Sequence, residues 1–259
     1  MKAVKVELEY HWGFSIRRPY LSASEPSLKI IPPTSLIGAL SRGLAYLNGW
    51  SEVVERENKY YSSAIRILNK CKWATMALKG TFLPGIGLVE TRDILRAVIA
   101  HYQRRENIEP GAVMFAPQLH GRVYAPSLRI CATYIIKDDC WAEVSRATWG
   151  ILALGCKESL VSVEDVKVVG LEESKERIVE TRFLFERKLI KSVKRGDYME
   201  DTGSIPTPLH YQLASVKREA TTYILPLRRI EVEVATEGLV LKDEEGDKYI
   251  VSERFLKGG

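Results

Sequence analysis

Three short stretches of the 259-residue sequence place cations beside planar side chains. Arg17 and Arg18 follow Trp12 and Phe14 and precede Tyr20; Arg104 and Arg105 follow Tyr102; Arg122 stands between His120 and Tyr124. Guanidinium groups neutralise phosphates and flat rings stack on unpaired bases, so this mixture suits single-stranded RNA. Any one such cluster is more often ordinary surface than a binding site, since scattered aromatic and basic residues need no explanation. Three of them together point to an anionic, base-bearing ligand. Lys157 lies in a turn, Gly155-Cys156-Lys157-Glu158-Ser159, whose backbone N–H groups either face a phosphate or simply finish a helix.

Other chemistries have less support. His11, His101, His120 and His210 form no constellation along the chain, and there is no Ser-His-Asp pattern, P-loop or dinucleotide fingerprint. The four cysteines, Cys71, Cys131, Cys140 and Cys156, lack Cys-x-x-Cys spacing and read as free core thiols of a reducing compartment. Asp243 to Asp247 is acidic but lacks the regular alternation of a calcium loop. No metal and no cofactor are expected. The basic run Arg187, Lys188, Lys191, Lys194 and Arg195 is either a solvated face, a phosphate track or a contact to a neighbouring subunit.

These residues must be positioned by a scaffold, which periodicity outlines. Val4, Val6, Leu8 and Tyr10 alternate with Lys5, Glu7 and Glu9, the pattern of a strand buried on one face. A long loop to Pro33 leads into a helix over 30–48, with Thr34 or Ser35 as its cap. Leu36, Ile37, Leu40, Leu44 and Leu47 form its packing stripe, and Ser35, Gly38 and Arg42 lie on the opposite face. Arg42 therefore joins the candidate contacts, while Gly38 and Gly43 equally allow another element to approach closely.

Residues 52–70 read as a second helix or helical extension and 73–78 as a buried strand. Residues 81–126 read as an insertion carrying a helix that starts at Thr91. Leu128 to Ile136 restores the strand rhythm, Trp141 to Leu152 is a helix stopping at Gly155, and 160–169 is a Val-rich strand. Charged residues from 171 onward read as a solvated connection. Beyond it lie strands near 222–225 and 230–234 and a hairpin with Gly246 in its loop.

The order strand, helix, strand, insertion, strand, helix, strand is that of a ferredoxin-like, split βαβ unit. The expected architecture is α+β: an antiparallel sheet with helices on one face over 1–170, a large insertion at 81–126, and a smaller, mainly β unit over 171–259. Charged residues make up 27% of the chain and the net charge is +5, which permits an anionic partner without demanding one. No apolar run approaches the roughly 20 residues of a membrane span, so no membrane partner is expected and the location expected is cytoplasmic.

Arg17-Arg18-Pro19, followed by Ile-Pro-Pro-Thr-Ser-Leu-Ile-Gly-Ala-Leu at 31–40, resembles the N-terminal signature of the Cas-five family, CRISPR-associated Cascade subunits of the RAMP superfamily. Leu154 to Val163 adds to a likeness with archaeal type I-A members, and the abundance of Lys, Arg and Glu over Asn and Gln suits a thermophile. The resemblance implies an RRM-like sheet, a thumb at the position of the 81–126 insertion, and a glycine-rich loop at 155–159. It also implies a non-catalytic RNA-binding subunit in antiviral defence, one that holds the 5′ handle of CRISPR RNA and caps the Cas-seven backbone beside the large subunit. On that basis the expected RNA contacts are Arg17, Arg18, Arg42, Arg104, Arg105, Arg122 and Lys157. The alternative within the family is a metal-independent endoribonuclease acting on precursor CRISPR RNA with Tyr, Lys and His.

Overall fold

The computed structural model describes residues 1–19, 26–80, 89–98, 116–213 and 219–257, with backbone alone for 89–98, 116–119, 138 and 257. In chain order the elements are β1 (Lys2–Tyr10), β2 (Gly13–Phe14), α1 (Pro33–Asn48), β3 (Val53–Arg56), β4 (Lys59–Ser62), β5 (Cys71–Lys79), β6 (Val89–Val98), β7 (Ala116–Tyr124), β8 (Arg129–Ile136), α2 (Trp141–Thr148) and β9 (Val161–Ser174). They continue with β10 (Ile178–Thr181), β11 (Phe185–Glu186), β12 (Ile190–Arg195), β13 (Tyr198–Ser204), α3 (Pro208–Tyr211), β14 (Ala220–Pro226), β15 (Ile230–Val234), β16 (Gly238–Asp243), β17 (Lys248–Ser252) and α4 (Glu253–Lys257).

Alternation in the first strand decides the centre of the molecule. Val4, Val6, Leu8 and Tyr10 are fully buried. They sit opposite Tyr134, Ala132 and Ile130 of β8 on one side and Val168, Val166, Val163 and Val161 of β9 on the other. The sheet has six strands in the order β17-β16-β9-β1-β8-β5, with antiparallel neighbours throughout. Four of the six, β9, β1, β8 and the edge strand β5, come from the segments expected around Val4–Tyr10, at 73–78, at 128–136 and at 160–169. The hairpin near Gly246 extends the same sheet, because β16 pairs with residues 171–174 of β9. The charged stretch after 170, expected to be a solvated connection, is thus strand: Leu171 is buried, and the exposed Glu172 and Glu173 after it pair with Lys242 and Leu241.

The two longer helices cover one face. The Tyr134 hydroxyl donates to the Leu36 carbonyl at 3.1 Å, tying β8 to α1. A Cβ at Gly43 would stand 2.2 Å from the Ala147 carbonyl oxygen, so the α1–α2 approach requires glycine there, while Gly38 has open space. Leu36, Ile37, Leu40 and Leu44 are buried as expected, but Leu47 is exposed because α1 ends at Gly49, in the left-handed region at φ +61°. Neither Thr34 nor Ser35 caps the helix. Pro32 is the N-cap and Pro33 the first helical residue, which places both hydroxyl residues inside the first turn.

Three other expectations fail for physical reasons. Residues 53–62 form a hairpin, not a helix, because Glu57 and Asn58 both take positive φ (51° and 59°), the two-residue turn whose twist matches antiparallel strands. Only Ser63–Arg66 is helical, as a single 3-10 turn. The helix expected from Thr91 is strand β6, held by a nine-pair ladder to β7; its Ile94, Leu95 and Val98 fit helical spacing, but pairing across the hairpin overrides local pattern. Helix α2 ends at Thr148, and Gly155 lies beyond it in a separate turn at φ +114°.

The face opposite α1 and α2, on which α4 packs with Phe255 4.7 Å from the Trp73 ring, carries charge around Lys5. The Lys5 ammonium, 5% exposed, contacts Asp243 (2.9 Å), Glu245 (2.6 Å) and Asp247 (2.8 Å). Arg182 makes two further bonds to Asp247, Arg229 reaches it at 3.3 Å, and the Tyr249 hydroxyl donates to Asp243 at 2.7 Å. Burial alone would lower the Lys5 pKa; the hydrogen bonds it donates to the three carboxylates outweigh that and raise it. The acidic hairpin tip is thus the counter-charge of a buried lysine. The 187–195 run is also matched by acids: Lys188 pairs with buried Glu186, Arg187 with Glu200, and Lys191 and Lys194 with Glu233. Burial pushes the Cys71 thiol up to about 12 and raises Cys131 and Cys140, as expected of core cysteines.

Candidate nucleic-acid interface

The loop after β1 is held between two neighbours. On one side β2 pairs with β7, at a distance where a Cβ on Gly13 would lie 2.0 Å from the Val123 carbonyl oxygen; the Ser15 hydroxyl then donates to the Gly121 carbonyl at 2.7 Å. On the other side the 155–159 turn closes on it: the Cys156 N–H donates to the Ser15 carbonyl (2.9 Å) and the Ser15 N–H to the Ser159 hydroxyl (3.2 Å). Gly155 is required twice over, by its positive φ and by the Ser15 carbonyl 3.1 Å from where a Cβ would stand. The turn is therefore a fitted wall.

A cleft of about 360 Å³ opens beside this junction, lined among others by Arg17, Thr34, Ser35, His120, Cys156 and His210. Its floor includes the start of α1, which has no side-chain cap and no acidic residue in its first turn. Pro33 has no N–H and the Ser35 N–H donates to the Pro32 carbonyl at 3.0 Å, so what favours an anion at such a place is the positive end of the helix dipole. At the rim, the Arg122 guanidinium stacks over the Trp12 ring at 5.2 Å, and Trp12 and Tyr124 lie 5.6 Å apart. The Trp12 indole N–H donates to the Glu158 carbonyl at 2.5 Å, tying this stack to the turn. A hydrogen bond from Cys156 holds the Glu158 carboxyl below its ordinary range.

Of the residues expected from sequence, Arg17, Gly155 and Cys156 line the cleft, Arg122 stands at its rim, and Lys157 is 87% exposed on the turn. Arg18 is engaged inside the protein: its guanidinium grips Asp201 with two bonds (2.5 and 3.1 Å) and reaches the Pro26 and Ser27 carbonyls. Arg42 lines a different groove, between α1 and the β3–β4 hairpin. Arg104, Arg105 and His101 lie outside the described residues. His11 is exposed, with Nε2 3.1 Å from the Ser162 hydroxyl. Sequence reasoning missed Ser204 and His210, cleft residues from the far end of the chain with no local signal.

The fold and this cleft define the class: a mixed α/β protein of mostly antiparallel sheets with a basic, aromatic-rimmed cleft at a helix start. No family model matches the chain. It is 33% identical over 261 residues to the CRISPR system aCascade subunit Cas5 1 of Saccharolobus solfataricus, covering 95% of this chain and 98% of that protein. It is 29% identical, with the same coverage, to the CRISPR-associated protein Cas5 3 of that organism. A crystal structure of a CRISPR protein from Archaeoglobus fulgidus shares the fold, with a TM-score of 0.63 at 19% identity over 97% of this chain and all of that one. The chain belongs to the CRISPR-associated Cas-five family. Among the described residues no helix is long and apolar enough to cross a membrane.

Proposed function

We propose that this chain is a non-catalytic RNA-binding subunit of a type I-A CRISPR interference complex, Cascade, acting in the cytoplasm of an archaeal thermophile. It holds the 5′ handle of CRISPR RNA and caps the Cas-seven backbone beside the large subunit. The observation that carries this reading is the convergence of Arg17, the uncapped start of α1, the 155–159 turn and the base of the β6–β7 hairpin on one cleft, with a cation–aromatic stack at its rim. Phosphates suit the first three and unstacked bases the last.

On this reading β9, β1, β8 and β5 are the ferredoxin-like, RRM-like unit of RAMP proteins. The β6–β7 hairpin is the base of the thumb, and Arg104 and Arg105 fall in the segment joining its strands. The sheet face away from α1 and α2 is occupied by the Lys5 ion cluster and by α4, so RNA follows the loops and not the sheet surface. Retention through many target encounters calls for slow dissociation, which a fitted cleft supplies.

The test is RNA affinity against salt. Replacing Arg17, Arg122 and Lys157 by Ala weakens binding to a handle RNA and lowers the log–log salt slope by about 0.7 per lost phosphate contact. Unchanged affinity and slope in a folded triple variant would overturn the reading. A second reading has one observation in its favour: His120 and His210, separate in sequence, line the same cleft. That pairing suits a metal-independent endoribonuclease. Incubation with precursor repeat RNA in EDTA decides between them. Intact RNA in a retarded complex supports binding; cleavage at one site, abolished by His120→Ala or His210→Ala, establishes the nuclease.

A further inference from the structure

We propose that Asp201 is a positioning residue for the cleft: from β13 it clamps the loop that carries Arg17, acting through Arg18 and the backbone of Lys29. The inference rests on the RNA reading above and reassigns Arg18 from ligand to clamp.

Asp201 is 9% exposed. One oxygen accepts from Arg18 Nη1 at 2.5 Å and from the Thr202 N–H at 2.9 Å; the other accepts from Arg18 Nη2 at 3.1 Å and from the Lys29 N–H at 2.9 Å. The Arg18 side chain also binds the carbonyls of Pro26 and Ser27, so one guanidinium joins the outgoing and returning arms of the loop to a strand 183 residues away. The neck of the same loop is closed by the Leu28 N–H on the Ile16 carbonyl at 2.9 Å and by the buried Ser27 hydroxyl. Arg17 sits between that neck and Arg18, and its direction into the cleft is set by both.

Strand β13 reaches the cleft by two further routes. A Cβ on Gly203 would lie 3.0 Å from the Pro32 side chain, at the N-cap of α1, so the strand rests directly on the helix entry. Ser204, the next residue, lines the cleft. Asp201, Gly203 and Ser204 lie on one strand and would move together if the Asp201 clamp opened. A bidentate guanidinium–carboxylate pair fixes orientation as well as distance, which an ammonium cannot reproduce.

The decisive variants are Arg18→Lys and Asp201→Asn, measured for handle-RNA affinity across a salt series at a temperature where circular dichroism shows each folded. Arg18→Lys keeps the charge, so a phosphate contact would survive it, whereas the forked clamp would not. The clamp predicts that each single variant loses about tenfold in affinity, that the double variant loses no more than the worse single, and that the salt slope is unchanged. By contrast, Arg17→Ala lowers the slope. If Arg18 is itself an RNA ligand, Asp201→Asn releases it and tightens binding, and Arg18→Lys is near neutral; either result overturns the proposal. Indifference to Asp201→Asn with intact Arg17 dependence overturns the clamp alone. Indifference to Arg17→Ala and Arg122→Ala overturns the RNA reading and the clamp with it.

Discussion

The acidic hairpin tip at 243–247 and the cleft at the start of α1 both gather polar and charged groups from distant parts of the chain, and they resolve that charge differently. At the hairpin tip, Lys5, Arg182 and Arg229 meet Asp243 and Asp247 inside the protein, at side-chain exposures of 0 and 4% for the two acids. At the cleft, Arg17 is exposed, the helix start has no acid beside it, and Lys157 stands 3.9 Å from its nearest carboxylate. The first arrangement buries its acids against cations; the second keeps Arg17 and Lys157 at the surface. A charged stretch becomes a candidate site through what the fold leaves exposed, and its composition alone does not decide the matter.

The largest effect expected is at the closed cluster. Lys5→Met leaves buried carboxylates short of a partner and costs about 3–5 kcal/mol of stability at pH 7, read by denaturant unfolding. Its pH dependence has a definite sign. Burial would raise the Asp247 pKa, but hydrogen bonds from Arg182 and Lys5 hold it below the ordinary value. Such a group contributes stability above its unfolded value of about 4 and loses it as pH falls through the folded value. The gap between wild type and Lys5→Met therefore narrows as pH is lowered toward 3, and a gap that widens would break the account of this cluster. RNA affinity of the folded variant stays unchanged.

An intermediate effect is expected at the rim of the cleft. Trp12→Ala removes the surface under Arg122 and weakens RNA binding by about 1–3 kcal/mol, the range of a single base–aromatic stack, measured by fluorescence anisotropy. A loss confined to stability would show Trp12 to be a packing residue. The smallest effect is expected at Lys191 and Lys194, whose shared partner Glu233 is an acid on the neighbouring strand. Their replacement by Ala changes stability by less than about 1 kcal/mol, as for other surface pairs, and leaves the RNA salt slope untouched. A reduced slope would make that basic run a phosphate track.

How much was legible in sequence follows from the range of the interactions involved. The inner strands and α1 were readable because burial on one face imposes a local period, as in Val4-Val6-Leu8-Tyr10. The β3–β4 turn was not, since Glu57-Asn58 lacks the glycine that usually marks such a turn. Strand β6 carries apolar residues at helical spacing and becomes strand only through pairing with β7. The cleft was half legible. Arg17, Arg122 and the 155–159 turn lie in motifs, while Ser204 and His210 reach it from the C-terminal region and Asp201 meets Arg18 across 183 residues. Arg18 and Arg17 are adjacent and alike in sequence, and only the position of Asp201 separates a clamp from a ligand.

The central claim, that RNA is held in the cleft and not over the sheet, is tested most directly by a cryo-EM map of this chain assembled with its operon partners and CRISPR RNA. The account predicts density for the 5′ handle between the start of α1, the 155–159 turn and the base of the β6–β7 hairpin, with a base against Trp12. Handle density over the Lys5 face or along β12, with the cleft empty, would contradict it.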